Sequence, residues 1–258
     1  SKGVSGIFSV ATGVSKYGSS GAISLSSGTS TGGSGGAISL TVGSGNTNDG
    51  GAITATGGET SANNKNGGAI ELTAGKATGT GTAKGGAITL TSGESTSTTG
   101  GSFTLSTGAG TATSSGGITV RTVDAGKSGV SGPLLFSSGS TSKGISGQIK
   151  MSTGATTFGA SGAIDLQTGN SDATSVTGNS GNIGVTTGDA TNGAGGNIVL
   201  TVGSADADHG GKISATAGST SKANKNGGAI ELTGGSTTGT GTAKGGAITL
   251  TSGASTST

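Results

Sequence analysis

One eight-residue phrase, Gly-x-Ile-x-Leu-x-x-Gly, recurs about sixteen times along the chain and leaves little room for any other organisation. Copies open at Gly6, Gly21, Gly36 and Gly51 and continue to Gly228 and Gly246, mostly 15 residues apart and stretching to 16–19 in places. The extra residues always fall after the phrase and never inside it. A constant segment followed by a variable one is the signature of a repeat architecture, in which each unit buries its apolar face only against its neighbours. The third position is almost always Ile (Ile23, Ile38, Ile53, Ile70, Ile88) and the fifth is usually Leu (Leu25, Leu40, Leu72, Leu90). Apolar residues two apart, separated by small polar ones, carry the period of a strand with one wet face.

The glycines that open and close each phrase supply either left-handed backbone or close approach at a corner. Only the copy ending at Val123 lacks the closing one. Between phrases lies a second short stretch of small polar residues, such as Glu94–Thr98 or Thr78–Thr82. Two short segments and two corners in about 15 residues predict an all-β chain: a two-sheeted, flattened β-solenoid of about sixteen coils of 15–19 residues. The nine Ile and Leu residues named above would form its core ladder. Stacked at about 4.8 Å per coil, the rod would be on the order of 75 Å long. One Ile and one Leu cannot offset the ordering of a whole coil, so no coil folds alone.

Composition matters where it excludes. With 60 Gly among 258 residues, 28% hydrophobic and 2% aromatic residues, a core of ordinary thickness cannot be filled. A net charge of +2 provides no basic stripe, so nucleic acid is not an expected partner. No apolar run is long enough for a transmembrane segment. The absence of Cys excludes a disulfide scaffold, and no cofactor is expected. The chain begins Ser-Lys-Gly, which suggests a processed product or an excerpt of a longer array.

Residues 58–98 and 218–258 are nearly the same text at a shift of 160, and Ser1–Gly6 matches Ser142–Gly147. These block duplications predict a single array over residues 1–258. No cap is visible at either end, and an uncapped array is expected to pair end to end with copies of itself. Arg121, Val123, Asp124 and Pro133 break the pattern together and suggest a local irregularity.

The chemistry-bearing residues are few. The sixth position carries Thr41, Thr56, Thr73, Thr91, Thr186, Thr201, Thr216, Thr233 and Thr251, a ladder of hydroxyls and methyls that could bind ice or another surface. The neighbouring outward column is interrupted by Glu71, Leu135, Lys150, Asp165, Gly184 and Glu231. Ordinary strand preference of Thr explains such a ladder equally well. Asp189, Asp206 and Asp208 lack the Gly-Gly-x-Gly-x-Asp pattern of calcium-binding repeats, so no metal is expected. His209 is the single imidazole and belongs to no triad. Glu71 and Glu231 are one position in two copies of a block, not facing carboxylates. No catalytic residue is assigned, and the chain reads as not an enzyme. There is no Asn-x-Ser/Thr sequon, whereas O-linked glycans on the Ser/Thr runs are possible partners.

The phrases Gly-Gly-Ala-Ile-Ser-Leu and Gly-Gly-Ala-Ile-Thr-Leu-Thr-Ser-Gly resemble the Gly/Ser/Thr-rich tandem-repeat β-solenoid arrays in surface and extracellular proteins of microalgae and related protists. The resemblance implies a secreted structural role and carries over no functional residue. Insect-type antifreeze solenoids differ in having Cys and strict Thr-x-Thr. The expectation is a structural protein that forms an extracellular or cell-surface filament, sheath or coat by end-to-end stacking. The alternative is an ice- or surface-binding protein that uses the Thr ladder.

Overall fold

The computed structural model describes residues 5–126, 129–171 and 178–254. The first four residues of the Ser1–Gly6 match and the last four of the 218–258 block lie outside them. The chain divides into two units, Ser1–Gly132 and Pro133–Thr258, each holding one copy of the duplicated block. The boundary falls at Pro133, within the stretch where the phrase pattern is broken.

Within both units the same local geometry repeats. Each phrase runs without bend or turn, and every connector whose residues are all described bends once near its middle, for example at residues 16–18, 46–48, 96–98 and 206–208. Ser and Thr hydroxyls shape these bends. Thr60 Oγ1 accepts from the Ala62 amide at 3.2 Å, Thr220 Oγ1 accepts from the Lys222 amide at 3.1 Å, and Ser95 Oγ accepts from the Thr98 amide at 3.1 Å. Thr141 and Thr156 instead donate to the carbonyls of Lys143 and Phe158. Such short-range bonds give the backbone an alternative to helix or ladder.

The left-handed residues also sit in connectors: Gly81 and Gly241 at φ of 98° and 126°, Asn64 and Asn224 at 59° and 61°. Glycine and, less readily, asparagine tolerate that region. Among the described residues no phrase-opening or phrase-closing glycine is left-handed. Those glycines serve close approach instead. The amide of the opening glycine donates to the carbonyl of the glycine that closed the preceding phrase: Gly68 to Gly58, Gly86 to Gly75, Gly228 to Gly218 and Gly246 to Gly235 at 2.8 Å, Gly101 to Gly93 at 2.9 Å and Gly116 to Gly108 at 3.1 Å. Each such connector is a loop closed at its base.

This closure corrects the expected architecture. Among the described residues there is no strand and no helix, so the chain is not an all-β, two-sheeted β-solenoid of stacked coils. The physical reason lies in the connector. In the six connectors closed by this bond the chain returns to its own starting point, so it cannot cross over the Ile/Leu side and form a second wall. No described residue is buried. Ile23, Ile38, Ile53, Ile70, Ile88, Leu25, Leu40, Leu72 and Leu90, expected to form a core ladder, are all exposed, from 48% at Ile38 to 74% at Leu25. The accessible surface is 25664 Å². A compact monomer of this mass would expose about 9,700 Å² and a fully extended chain about 34,000 Å².

Closure rests on glycine unequally. A Cβ at Gly68 would meet the Gly58 amide nitrogen at 2.9 Å, whereas one at Gly58 would meet nothing within 4 Å. Gly68→Ala is therefore expected to open the connector at residues 58–68, seen as loss of the through-hydrogen-bond coupling between the residue-68 amide and the Gly58 carbonyl by NMR. Gly58→Ala should leave that coupling in place. The net worth of one such bond, about 1 kcal/mol, corresponds to roughly a fivefold change in the closed fraction.

Candidate surface site

The repeating face of the phrase is the largest chemical feature of the molecule. Where third and fourth positions are both apolar, the third is the more sheltered: Leu134 is 52% exposed against 82% for Leu135, and Ile198 shows the same contrast with Val199. The shelter belongs to the third position and not to every odd one, since Leu200 at the fifth is as exposed as Val199. The fifth position is wetter than the third in most copies, so the Leu column gains less shelter than the Ile column.

The seventh position is the most sheltered of all, and the sequence reading passed over it. Only seven described residues are even half-buried, and six of them, Gly57, Ala74, Ser92, Thr168, Ala217 and Gly234, stand at position seven. Val42 and Val202, also at position seven, are the least exposed of the large apolar residues. Their neighbour is the next opening glycine: a Cβ on Gly51 would lie 2.8 Å from Val42 Cγ1, and one on Gly211 would lie 2.6 Å from Val202 Cγ1. Thr12, Ser27 and Thr107 stand in the same relation to Gly21, Gly36 and Gly116. The signal was present as the third odd position before the closing glycine. Its variety, from Gly to Val, hid it.

On the opposite side, Ser39 Oγ and Thr41 Oγ1 approach to 3.4 Å, which places hydroxyls of the fourth and sixth positions on one face. All nine Thr residues of the proposed ladder are exposed. Exposure does not single them out, because nearly every described residue shares it.

In the second unit, adjacent phrases line a groove of about 470 Å³ between Phe136, Ile149, Lys150 and Met151. Its walls are the fifth position of one phrase and the third to fifth of the next. The connector at Asp206–His209 forms a separate open depression. Here Asp208 Oδ1 accepts from the His209 amide at 2.7 Å and contacts His209 Nδ1 at 2.8 Å. The backbone N–H, and after it the imidazole, hold the Asp208 carboxyl below the usual carboxylate range. Both side chains stand in solvent, and the described residues contain no group of three or more ligands able to hold a metal. Glu71 and Glu231 lie in different units and make no recorded bond. No helix is long and apolar enough to cross a membrane among the described residues.

The chain matches no known protein family, and comparisons with curated proteins and with solved structures return no relative.

Because the folded pKa of Asp208 is depressed, the Asp208–His209 contact is present above the ordinary carboxylate range and is lost as pH falls through the lowered value. An NMR titration should place the Asp208 midpoint below the ordinary Asp value of about 3.9. His209→Ala should leave part of the depression, since the backbone N–H remains. His209→Pro, which removes that N–H, should abolish most of it.

Proposed function

We propose that this chain is a non-enzymatic structural repeat segment of an extracellular or cell-surface material, and that it works by associating with copies of itself. The observation that carries this reading is the exposure of two large apolar residues, most often Ile and Leu, in nearly every phrase, repeated at an almost fixed period. Soluble monomers rarely leave apolar surface uncovered on this scale. Full burial of each such side chain is worth about 1.5–3 kcal/mol, and most of that gain is still unrealised within the chain. A periodic apolar face is matched best by another face of the same period, which a second copy provides.

Covering these faces from outside replaces the end-to-end stacking of closed coils, which needed a filled interior. The extracellular setting follows from the Ser/Thr-rich phrase and its resemblance to algal surface arrays. Exposed Ser and Thr in the connectors would also accept O-linked glycans on a mature fibre.

A second reading is favoured by the Ser39–Thr41 approach. Hydroxyls of the fourth and sixth positions on one face suit adsorption to ice or another ordered surface. Charged interruptions at Glu71, Lys150, Asp165 and Glu231 weigh against a continuous grid.

Sedimentation and electron microscopy of the full chain at rising concentration should show fibres or sheets. A variant with Leu25, Leu40, Leu72 and Leu90 changed to Ser should raise the concentration needed by at least about tenfold, since each lost contact is worth more than about 1 kcal/mol. A chain that stays monomeric at millimolar concentration and arrests ice growth would replace this reading with the second.

A further inference from the structure

We infer that the pairing element between copies is the backbone of the uncharged phrase, and that the verbatim pair Gly85–Gly93 and Gly245–Gly253 nucleates a cross-β assembly of this chain with itself. The inference rests on the self-association proposed above and specifies its chemistry.

Three observations converge on the first of these segments, and the second repeats its text. Among the described residues six backbone bonds join an opening amide to a closing carbonyl, a seventh joins Gly129 to Gly126 within a connector, and none engages the interior of a phrase. The interior amides and carbonyls of Ala87–Ser92 have no backbone partner within the chain, so they form a template for another strand. Closed connectors hold this phrase at both ends, through Gly86 to Gly75 on one side and Gly101 to Gly93 on the other. Holding a segment by its ends reduces the entropy lost when it pairs.

Composition selects which phrase pairs most readily. Four phrases have closed connectors on both sides, those opening at Gly68, Gly86, Gly101 and Gly228. Two of them carry Glu71 or Glu231 at the fourth position. Identical strands stacked in register would set these carboxylates against one another, which is destabilising. The other two, Ala-Ile-Thr-Leu-Thr-Ser at Gly86 and Ser-Phe-Thr-Leu-Ser-Thr at Gly101, have no charge, no Pro and no internal Gly, and of these only the Gly86 text recurs verbatim in the chain. That is the composition of segments that form dry, interdigitated sheets, and Ile88 and Leu90 are already exposed to enter one. Its exact repetition at Gly246 gives each chain two such segments, so one molecule can bridge two neighbours and the assembly can grow. Glu71 and Glu231 act as breaks that keep pairing from spreading to every phrase.

The test uses the full chain. Assembled wild-type material should give a fibre-diffraction reflection at about 4.8 Å and bind thioflavin T. The double variant Thr89→Glu/Thr249→Glu places the charge where the Gly68 phrase already carries it, so each phrase keeps its local geometry. It should lengthen the assembly lag about tenfold or more, and Glu71→Thr/Glu231→Thr should shorten it. Assemblies without the 4.8 Å reflection, or a lag unchanged by both double variants, would overturn this inference while leaving self-association standing. A chain that never assembles would overturn both.

Discussion

The backbone bond between the glycine that opens one phrase and the glycine that closed the last one governs how this chain advances. At Gly68 it brings two backbones to a separation that a Cβ on the opening residue would violate, and at Gly86, Gly101 and Gly246 to one that a Cβ would crowd. In the six connectors where this bond forms, the loop is closed at its base. Position seven is sheltered before most of these and also at Val42, Thr168 and Val202, where its neighbour is the opening glycine of the next phrase.

A chain built this way has few interactions at long range. Its bends are set by Ser and Thr hydroxyls bonding two or three residues away, and by Gly or Asn in left-handed conformation. The two copies of the duplicated block show how local this control is. The pairs Asn64 and Asn224, Thr60 and Thr220, and Gly68 and Gly228 adopt matching conformations and bonds in separate units. The two loops keep these features although Glu59, Ala62 and Asn63 of one are Ser219, Lys222 and Ala223 of the other, because the interactions that shape them involve backbone groups and the side chains they share.

Functionally, the same economy directs attention outward. The Asp208 carboxyl owes its lowered pKa to its own neighbour, His209, and not to a gathered cluster of groups. What the molecule offers is a repeated surface, apolar on one side and hydroxyl-bearing on the other, punctuated by a few charges. The proposed self-association would cover its exposed Ile and Leu with more of the same chain.

Much of this was written in the residues. The phrase boundaries and the confinement of length variation to connectors follow from a strict period of two bounded by glycine. Whether the Ile and Leu columns would be enclosed did not follow. Enclosure depends on the path of the connector, and a run such as Glu94–Thr98 is as compatible with crossing to a second wall as with folding back. Glycine at both ends permits either route, since it imposes no side-chain constraint of its own. A backbone-to-backbone bond, invisible in any pattern of side chains, selected the closed loop and left the apolar face uncovered.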